Sequence, residues 1–212
     1  AIVIPVPEQN GVMLPSLTEE ALFAVRTAGS VLVGCGIGKG SIDVLISNIL
    51  SNASCPVIID ADGINALSGK LDIVKNKDVL LTPHVKEFSR ISGYKTEDIE
   101  TRRIQAADKF ARENGLHLLL KGARTVIANG GRNKYVSTLS TSALAKAGSG
   151  DVLAGIIVSL AAQGLSLTDS AAAGCLIHAK TGLIAEKEIG AFFVTADDLI
   201  KLISRAIKEI TG

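Results

Sequence analysis

The sequence predicts an α/β protein with a mostly parallel central sheet, helices on both faces and an antiparallel hairpin at one edge. Three observations lead there. Short continuous apolar runs, Ser30-Val31-Leu32-Val33, Pro56-Val57-Ile58-Ile59, Val79-Leu80-Leu81 and His117-Leu118-Leu119-Leu120, alternate with longer segments of helical periodicity. Runs that are apolar at every position suit strands covered on both sides, and strand–helix alternation implies right-handed parallel crossovers. Thr125-Val126-Ile127-Ala128 and Tyr135-Val136-Ser137 flank Asn129-Gly130-Gly131, which reads as the hairpin. With 47% apolar but only 3% aromatic residues, the core must be built from Ala, Val, Ile and Leu.

Taken in order, Ile2–Ile4 is expected as a strand ended by Pro5 and Pro7. Leu17–Ala28 carries a helical pattern, with Thr18 as N-cap and Glu19 and Glu20 in the first turn. The strand at 30–33 runs into Gly34-Cys35-Gly36-Ile37-Gly38, and a helix follows over about Ser41–Leu50. The next strand ends in Asp60, and Ala61–Leu67 turns into a short helix. Val79–His84 is a third strand, broken by Pro83. Glu97–Asn114 reads as one long amphipathic helix closed by Gly115 at its C′ position. His117–Gly122 is the fourth strand, and helices over about Asp151–Gln163, Thr168–Lys187 and Ala196–Ile210 finish the chain. No linker, repeat or low-complexity segment interrupts it, so one domain over 1–212 is expected. The chain opens on Ala1 in an apparent strand, so its front reads as incomplete.

Charge and composition exclude several partners. With 22 basic and 21 acidic side chains the formal net charge is +1, which gives no reason to expect nucleic acid or a membrane surface. No apolar run is long enough to span a bilayer and no signal peptide is present, so a cytoplasmic protein is expected. Cys35, Cys55 and Cys175 lack a CxxC or a His cluster and read as reduced, mostly buried thiols.

Ligands of such sheets bind beyond the carboxyl ends of the strands. Gly34–Gly38, Asp60–Asn65, His84–Glu87 and Lys121–Thr125 each follow a strand end. The Gly148-Ser149-Gly150-Asp151 stretch opens a helix and can join that rim. A helix start presents unpartnered N–H groups and a positive dipole end, and Gly148 and Gly150 leave the backbone open to a phosphate. A carboxylate there would repel phosphate unless it acts as a base for the group attacking it; the alternative for Asp151 is a plain N-cap. Gly34-x-Gly36-x-Gly38 is not a dinucleotide fingerprint, because Lys39 stands where the third Gly belongs, but it allows close backbone approach. Asp60 and Asp62 suit a magnesium ion or a ribose, or else capping around Gly63. His84, with Glu87 three residues on, is a candidate for ligand contact; His117 and His178 are read as structural. Lys121-Gly122-Ala123-Arg124-Thr125 offers two cations, a Gly and a hydroxyl to a phosphate, or is a solvated turn.

Gly34-Cys35-Gly36-Ile37-Gly38, Asp60-Ala61-Asp62-Gly63-Ile64-Asn65-Ala66-Leu67, Leu81-Thr82-Pro83-His84-Val85-Lys86-Glu87-Phe88, Leu120-Lys121-Gly122-Ala123 and Gly148-Ser149-Gly150-Asp151-Val152-Leu153-Ala154-Gly155 occur in one order. That series resembles the ADP/ATP-dependent NAD(P)H-hydrate dehydratases, within the ribokinase-like superfamily, and extends to Ile177-His178-Ala179. The resemblance implies metabolite repair. ADP or ATP, with Mg2+, would phosphorylate the hydroxyl of hydrated NADH or NADPH, and loss of phosphate would restore NAD(P)H. It implies Asp151 as base, Gly148, Ser149 and Gly150 as the anion hole, and Lys121, Gly122, Ala123, Arg124, Thr125 and Gly150 at the nucleotide. It puts Gly36, His84 and Asp151 at the hydrated dinucleotide, with Asp60, Asn65 and Glu87 as further candidates and no protein-only metal site.

The sequence departs from the family pattern at three places. His84-Val85-Lys86-Glu87 replaces the usual His-Pro-Gly-Glu, and Ala147-Gly148-Ser149-Gly150-Asp151 replaces Gly-Gly-Thr-Gly-Asp. Family members also carry a further N-terminal segment, so either a separate chain supplies it, or it was cleaved, or this chain is a fragment, and an open sheet edge makes a homo-oligomer the expectation. A small-molecule kinase of the same superfamily, or a non-catalytic nucleotide-binding remnant, are the competing readings.

Overall fold

The computed structural model describes residues 2–131 and 133–212. A six-stranded sheet forms the centre, in the order β3 (Val31–Val33), β4 (Val57–Ile59), β5 (Val79–Leu81), β6 (His117–Leu120), β7 (Val126–Ala128) and β8 (Tyr135–Val136), after a small hairpin of β1 (Glu8–Gln9) and β2 (Val12–Met13). β3 to β6 are parallel, with Val31, Leu32 and Val33 opposite Val57, Ile58 and Ile59, and Ile58 opposite Leu80. β6–β7 and β7–β8 are antiparallel, the expected edge hairpin. The β1–β2 turn is Asn10-Gly11, both at positive φ (55° and 74°), which an Asn-Gly pair accepts at little cost.

Side-chain alternation along these strands divides the core into two layers. Val57, Ile59, Val79, Leu81, Leu118 and Leu120 face α2 (Ile42–Asn52), α4 (Val85–Ser92) and α6 (Arg103–Asn114), with Ile46, Phe88 and Phe110 filling that side. Ile58, Leu80, Leu119 and Ile127 face the other way, onto Leu153 and Ile157 of α7 (Ser149–Ala162) and Leu167, Ala171 and Cys175 of α8 (Leu167–Ile189). A further apolar cluster seats α9 (Ala196–Thr211) on α7 and α8 through Leu199, Ile156 and Ile177. The apolar runs are therefore continuous because both strand faces are covered.

Besides the β1–β2 hairpin, which the sequence reading leaves out, the structure departs from that reading in four places. Ile2–Ile4 is not a strand: no partner among the described residues pairs with it, and Ile2 and Val3 are 90% and 86% exposed. β-branched residues favour extended backbone but need a ladder to become a strand. The helix expected over Glu97–Asn114 is two, α5 (Thr96–Thr101) and α6, broken at Arg102 (φ −126°, ψ 44°). The break lets Ile99 and the Ala107, Phe110, Ala111 stripe both reach the core. A helix not anticipated, α4, follows His84, burying Phe88 and Ile91 and ending on Gly93 at φ 73°. α7 starts at Ser149, two residues earlier than expected, with Gly148 as N-cap in the left-handed region (φ 80°). Other boundaries agree closely: α1 (Glu19–Thr27) is capped by Thr18, whose hydroxyl accepts from Ala21 N at 3.2 Å, and α3 (Asp62–Ala66) follows Asp60.

Candidate functional site

Two close backbone approaches bring the strand ends to one rim. Gly34 leaves β3 at φ 122°, and a Cβ there would lie 1.9 Å from the Asp60 carbonyl oxygen. Gly63 lies against the same point, where a Cβ would meet Ile59 Cγ2 at 2.8 Å and Gly34 Cα at 3.2 Å. Only glycine fits either position, so the β3 and β4 exits are pressed together. Asp62 N donates to Gly34 O at 3.2 Å, and Asp62 Oδ2 accepts from Gly38 N at 2.9 Å. Asp62 therefore shapes the glycine loop, while Gly36 is exposed with open space where a Cβ would be.

On the next two strand exits, Lys121 N donates to Pro83 O at 2.8 Å, and His84 bridges to Lys121 in parallel. His84 caps α4. Its Nδ1 accepts from Lys86 N (3.1 Å) and Glu87 N (3.2 Å), while Glu87 Oε2 accepts from His84 N (2.8 Å). His84 Nε2 lies 3.3 Å from Glu87 Oε1. Accepting at Nδ1 assigns the neutral ring its proton at Nε2, beside that carboxylate. This reciprocal cap places Glu87, which is buried, in a supporting role. It also explains the altered turn: Val85 and Lys86 begin a helix, which a glycine would have weakened. Asn65 Oδ1 is engaged by Arg90, accepting from its Nη1 at 2.8 Å.

The charged centre is formed by Asp60, Lys121 and Asp151. Asp60 is almost wholly buried and its Oδ1 accepts from Lys121 Nζ at 2.7 Å and from Ala61 N at 2.8 Å. A buried carboxylate needs such a partner. Lys121 Nζ also lies 3.5 Å from the point where a Cβ on Gly150 would be, so the ammonium reaches the start of α7. Asp151 sits on the third residue of α7; it is exposed and caps nothing, since Gly148 holds that position. Its carboxylate, the Asp60 carboxylate and the Cys35 thiol all lie within 4.8 Å of one another. Burial first, then the Asp60 charge and a hydrogen bond to Asp151, push the Cys35 thiol up to about 12. The thiol thus stays protonated beside the carboxylates.

Among the described residues, Gly148 N, Gly150 N and Asp151 N find no acceptor, whereas Ser149 N donates to Lys146 O at 3.3 Å. The open amides are therefore those of Gly148, Gly150 and Asp151, and Ser149 contributes differently from the expected anion hole. Its hydroxyl is buried and pairs with His178 Nε2 at 3.1 Å. Burial, with the charge of Lys121 in addition, pushes His178 down to about 4, so the ring is neutral at ordinary pH.

A cavity of about 680 Å³ opens directly from the start of α7. Lys121, Gly122, Ala123 and Thr125 line one wall, Ser149 and Gly150 the mouth of α7, and Ser137 to Ala145 with α8 the remainder. Arg124 is exposed and off this lining; what it supplies is its carbonyl, which accepts from Arg103 Nε at 3.0 Å. Arg103 also donates from Nη2 to Leu120 O at 3.3 Å and to Lys121 O, so its guanidinium pins the whole turn. A Cβ on Gly122 would lie against that guanidinium, which would have to shift to admit it. Thr125 is buried and its hydroxyl donates to Gly122 O at 2.9 Å. Sequence reasoning singled out neither Arg103 nor Glu186 and gave Cys35 and His178 no part in the site chemistry. The one signal was the i, i+4 spacing of His178, Gly182 and Glu186, which puts them on one face of α8.

The NAD(P)H-hydrate dehydratase family matches residues 2–205. The chain is 32% identical over 212 residues to a bifunctional NAD(P)H-hydrate repair enzyme of Dictyoglomus turgidum, covering 99% of this chain and 41% of the relative. It is 33% identical over 180 residues to the ADP-dependent (S)-NAD(P)H-hydrate dehydratase of Neisseria meningitidis, covering 82% and 60%. It thus spans about two fifths of the length of the bifunctional relatives it matches. A ribokinase-like superfamily protein from Enterococcus faecalis superposes with a TM-score of 0.76 at 23% identity, covering 89% of this chain and 66% of the other. The fold is therefore ribokinase-like, and the chain belongs to the NAD(P)H-hydrate dehydratase family.

Proposed function

We propose that this chain carries out the nucleotide-dependent dehydration of hydrated NADH or NADPH. The observation that carries the proposal is the exposed Asp151 carboxylate, which caps nothing and lies within 4.8 Å of Asp60 and Cys35, one residue on from Gly150, which lines the cavity together with Lys121. In this reading the nucleotide lies along the cavity with its terminal phosphate at the start of α7. The Lys121–Thr125 turn and the Gly150 amide hold the phosphates; the hydrated ring enters from the Gly36 and His84 side.

Asp151 accepts the proton of the ring hydroxyl as that oxygen forms a bond to the terminal phosphorus. The bond from that phosphorus to the rest of the nucleotide breaks, releasing AMP when ADP is the donor. The Gly150 and Asp151 amides and Lys121 stabilise the charge on the phosphoryl group in flight. Phosphate then leaves the ring carbon, a neighbouring ring carbon loses its proton, and the dihydronicotinamide double bond returns. Mg2+ bound with the nucleotide would neutralise phosphate charge. Asp60 and Asp151 offer the oxygen donors that suit it, whereas the protonated Cys35 thiol does not. ADP is favoured as donor by the name of the Neisseria relative.

The experiment is a turnover assay with hydrated NADH, Mg2+ and ADP, following NADH absorbance and free phosphate together. Equal release of NADH and phosphate is expected. A stable phosphorylated product in place of NADH would instead identify a kinase, and ADP binding without either product a non-catalytic remnant.

A further inference from the structure

One face of α8 runs along the cavity. His178, Gly182 and Glu186 stand at successive four-residue steps, so they lie one above the other on that face. His178 is under the mouth of α7, paired to Ser149. At Gly182 a Cβ would lie 2.7 Å from Leu144 Cδ2 and from Thr141 Cγ2, so the absent side chain lets the 141–144 segment rest directly on the helix. That contact brings Thr141 to Glu186, where its hydroxyl donates to Glu186 Oε2 at 2.6 Å. At 1.5 Å per residue, Glu186 lies about 12 Å along the helix from His178.

The cavity therefore has two electrostatically opposite ends. Lys121 and the open α7 amides mark one end, and the Glu186 carboxylate, half-buried, marks the other. A carboxylate repels phosphate, so an anionic ligand is oriented with its phosphates toward α7 and its neutral part toward Glu186. One Glu186 oxygen is occupied by Thr141, which fixes the side chain; the other accepts no hydrogen bond among the described residues, and Glu186 lines the cavity. Its natural partner is a hydrogen-bond donor on the nucleoside.

We propose that Glu186, held by Thr141, is the specificity-determining residue for the nucleotide, accepting a hydrogen bond from either the exocyclic amine of adenine or a ribose hydroxyl. This rests on the nucleotide reading of the cavity given above. A carboxylate that accepts an N–H or O–H in this way disfavours a nucleoside offering an acceptor at the same point.

The test is calorimetric titration of the wild-type chain, Glu186→Gln, Glu186→Ala and Thr141→Val with ADP, IDP, 2′-deoxy-ADP, 3′-deoxy-ADP and pyrophosphate. Wild type is expected to bind ADP roughly ten- to hundredfold more tightly than the analogue lacking the recognised donor. Loss of preference over IDP in Glu186→Ala, with IDP gaining in Glu186→Gln, identifies the amine. Loss of preference over a deoxy analogue identifies the ribose. Pyrophosphate affinity is expected to stay unchanged in every variant, because Glu186 is remote from the phosphate end, and it reports on folding of that end. Thr141→Val, which leaves Glu186 in place but unheld, is expected to reduce the discrimination partly. Variants that bind ADP as wild type does, with the same ranking of analogues, would overturn the assignment of Glu186 while leaving the nucleotide reading standing. Absence of ADP binding to wild type would overturn both.

Discussion

Lys121 has two neighbours that ask for different things. Its ammonium neutralises the buried Asp60 carboxylate at 2.7 Å, and it also stands beside Gly150 at the cavity mouth. From its position after a strand, Lys121 reads as a phosphate contact or part of a solvated turn; in the structure its ammonium pairs with Asp60. Removing one member of a buried pair leaves an uncompensated charge and costs about 3–5 kcal/mol. Lys121→Ala is therefore expected to lose stability on that scale in denaturant unfolding, besides weakening nucleotide binding. The double variant Lys121→Met with Asp60→Asn is expected to recover most of the stability and none of the binding. A Lys121→Ala protein as stable as wild type would show that Asp60 does not depend on this ion pair. Asp60 keeps only its second oxygen for any ligand, because its Oδ1 is already taken by Lys121 and Ala61.

The contact between α7 and α8 ties the anion loop to a buried histidine. In the sequence His178 stands on an apolar helical stretch, within the family-like Ile177-His178-Ala179, and a structural role is the natural reading. The Ser149–His178 pair shows what that structure supports: the first residue of α7, whose neighbours hold the open amides. Because burial lowers His178 from 6.5 to about 4, the folded chain resists its protonation more than the unfolded chain does. The unfolded state then binds the extra proton, so stability is fully present above about pH 6.5 and is lost as pH falls toward 4. The difference corresponds to about 3 kcal/mol. Unfolding free energies measured across this window are expected to fall by that order in wild type, and Ser149-side rearrangement aside, His178→Gln is expected to lack this part of the slope. Identical pH slopes in the two proteins would contradict the buried neutral ring. Elements were most legible where both faces of a strand are apolar, as at Val57–Ile59, or where a cap was conventional, as at Thr18. α4 was missed because its capping box uses His84 in place of Ser or Thr, and the Arg102 break because charged residues on both sides gave no punctuation.

At the scale of the whole molecule, strands β3 to β6 lie side by side in chain order, so their exits fall on one rim and α7 delivers its start to the same place. That convergence was readable from the ordered motifs, because each one follows a strand's carboxyl end. What the sequence could not supply was direction. Asn65 turns to Arg90, Arg124 uses its carbonyl, and Ser149 turns inward, all of which depend on neighbours distant in the chain. The cavity walls at Thr141 and Glu186 carried no motif at all. Among the described residues, no helix is long and apolar enough to cross a membrane. The central claim is that Asp151 activates the hydroxyl while the nucleotide is held by other groups. Its most direct test is Asp151→Asn, assayed for kcat with hydrated NADH and for ADP affinity on the same preparation. A fall in kcat of about 10²–10⁴, with ADP affinity within about twofold of wild type, is the predicted result; turnover at the wild-type rate would contradict the account.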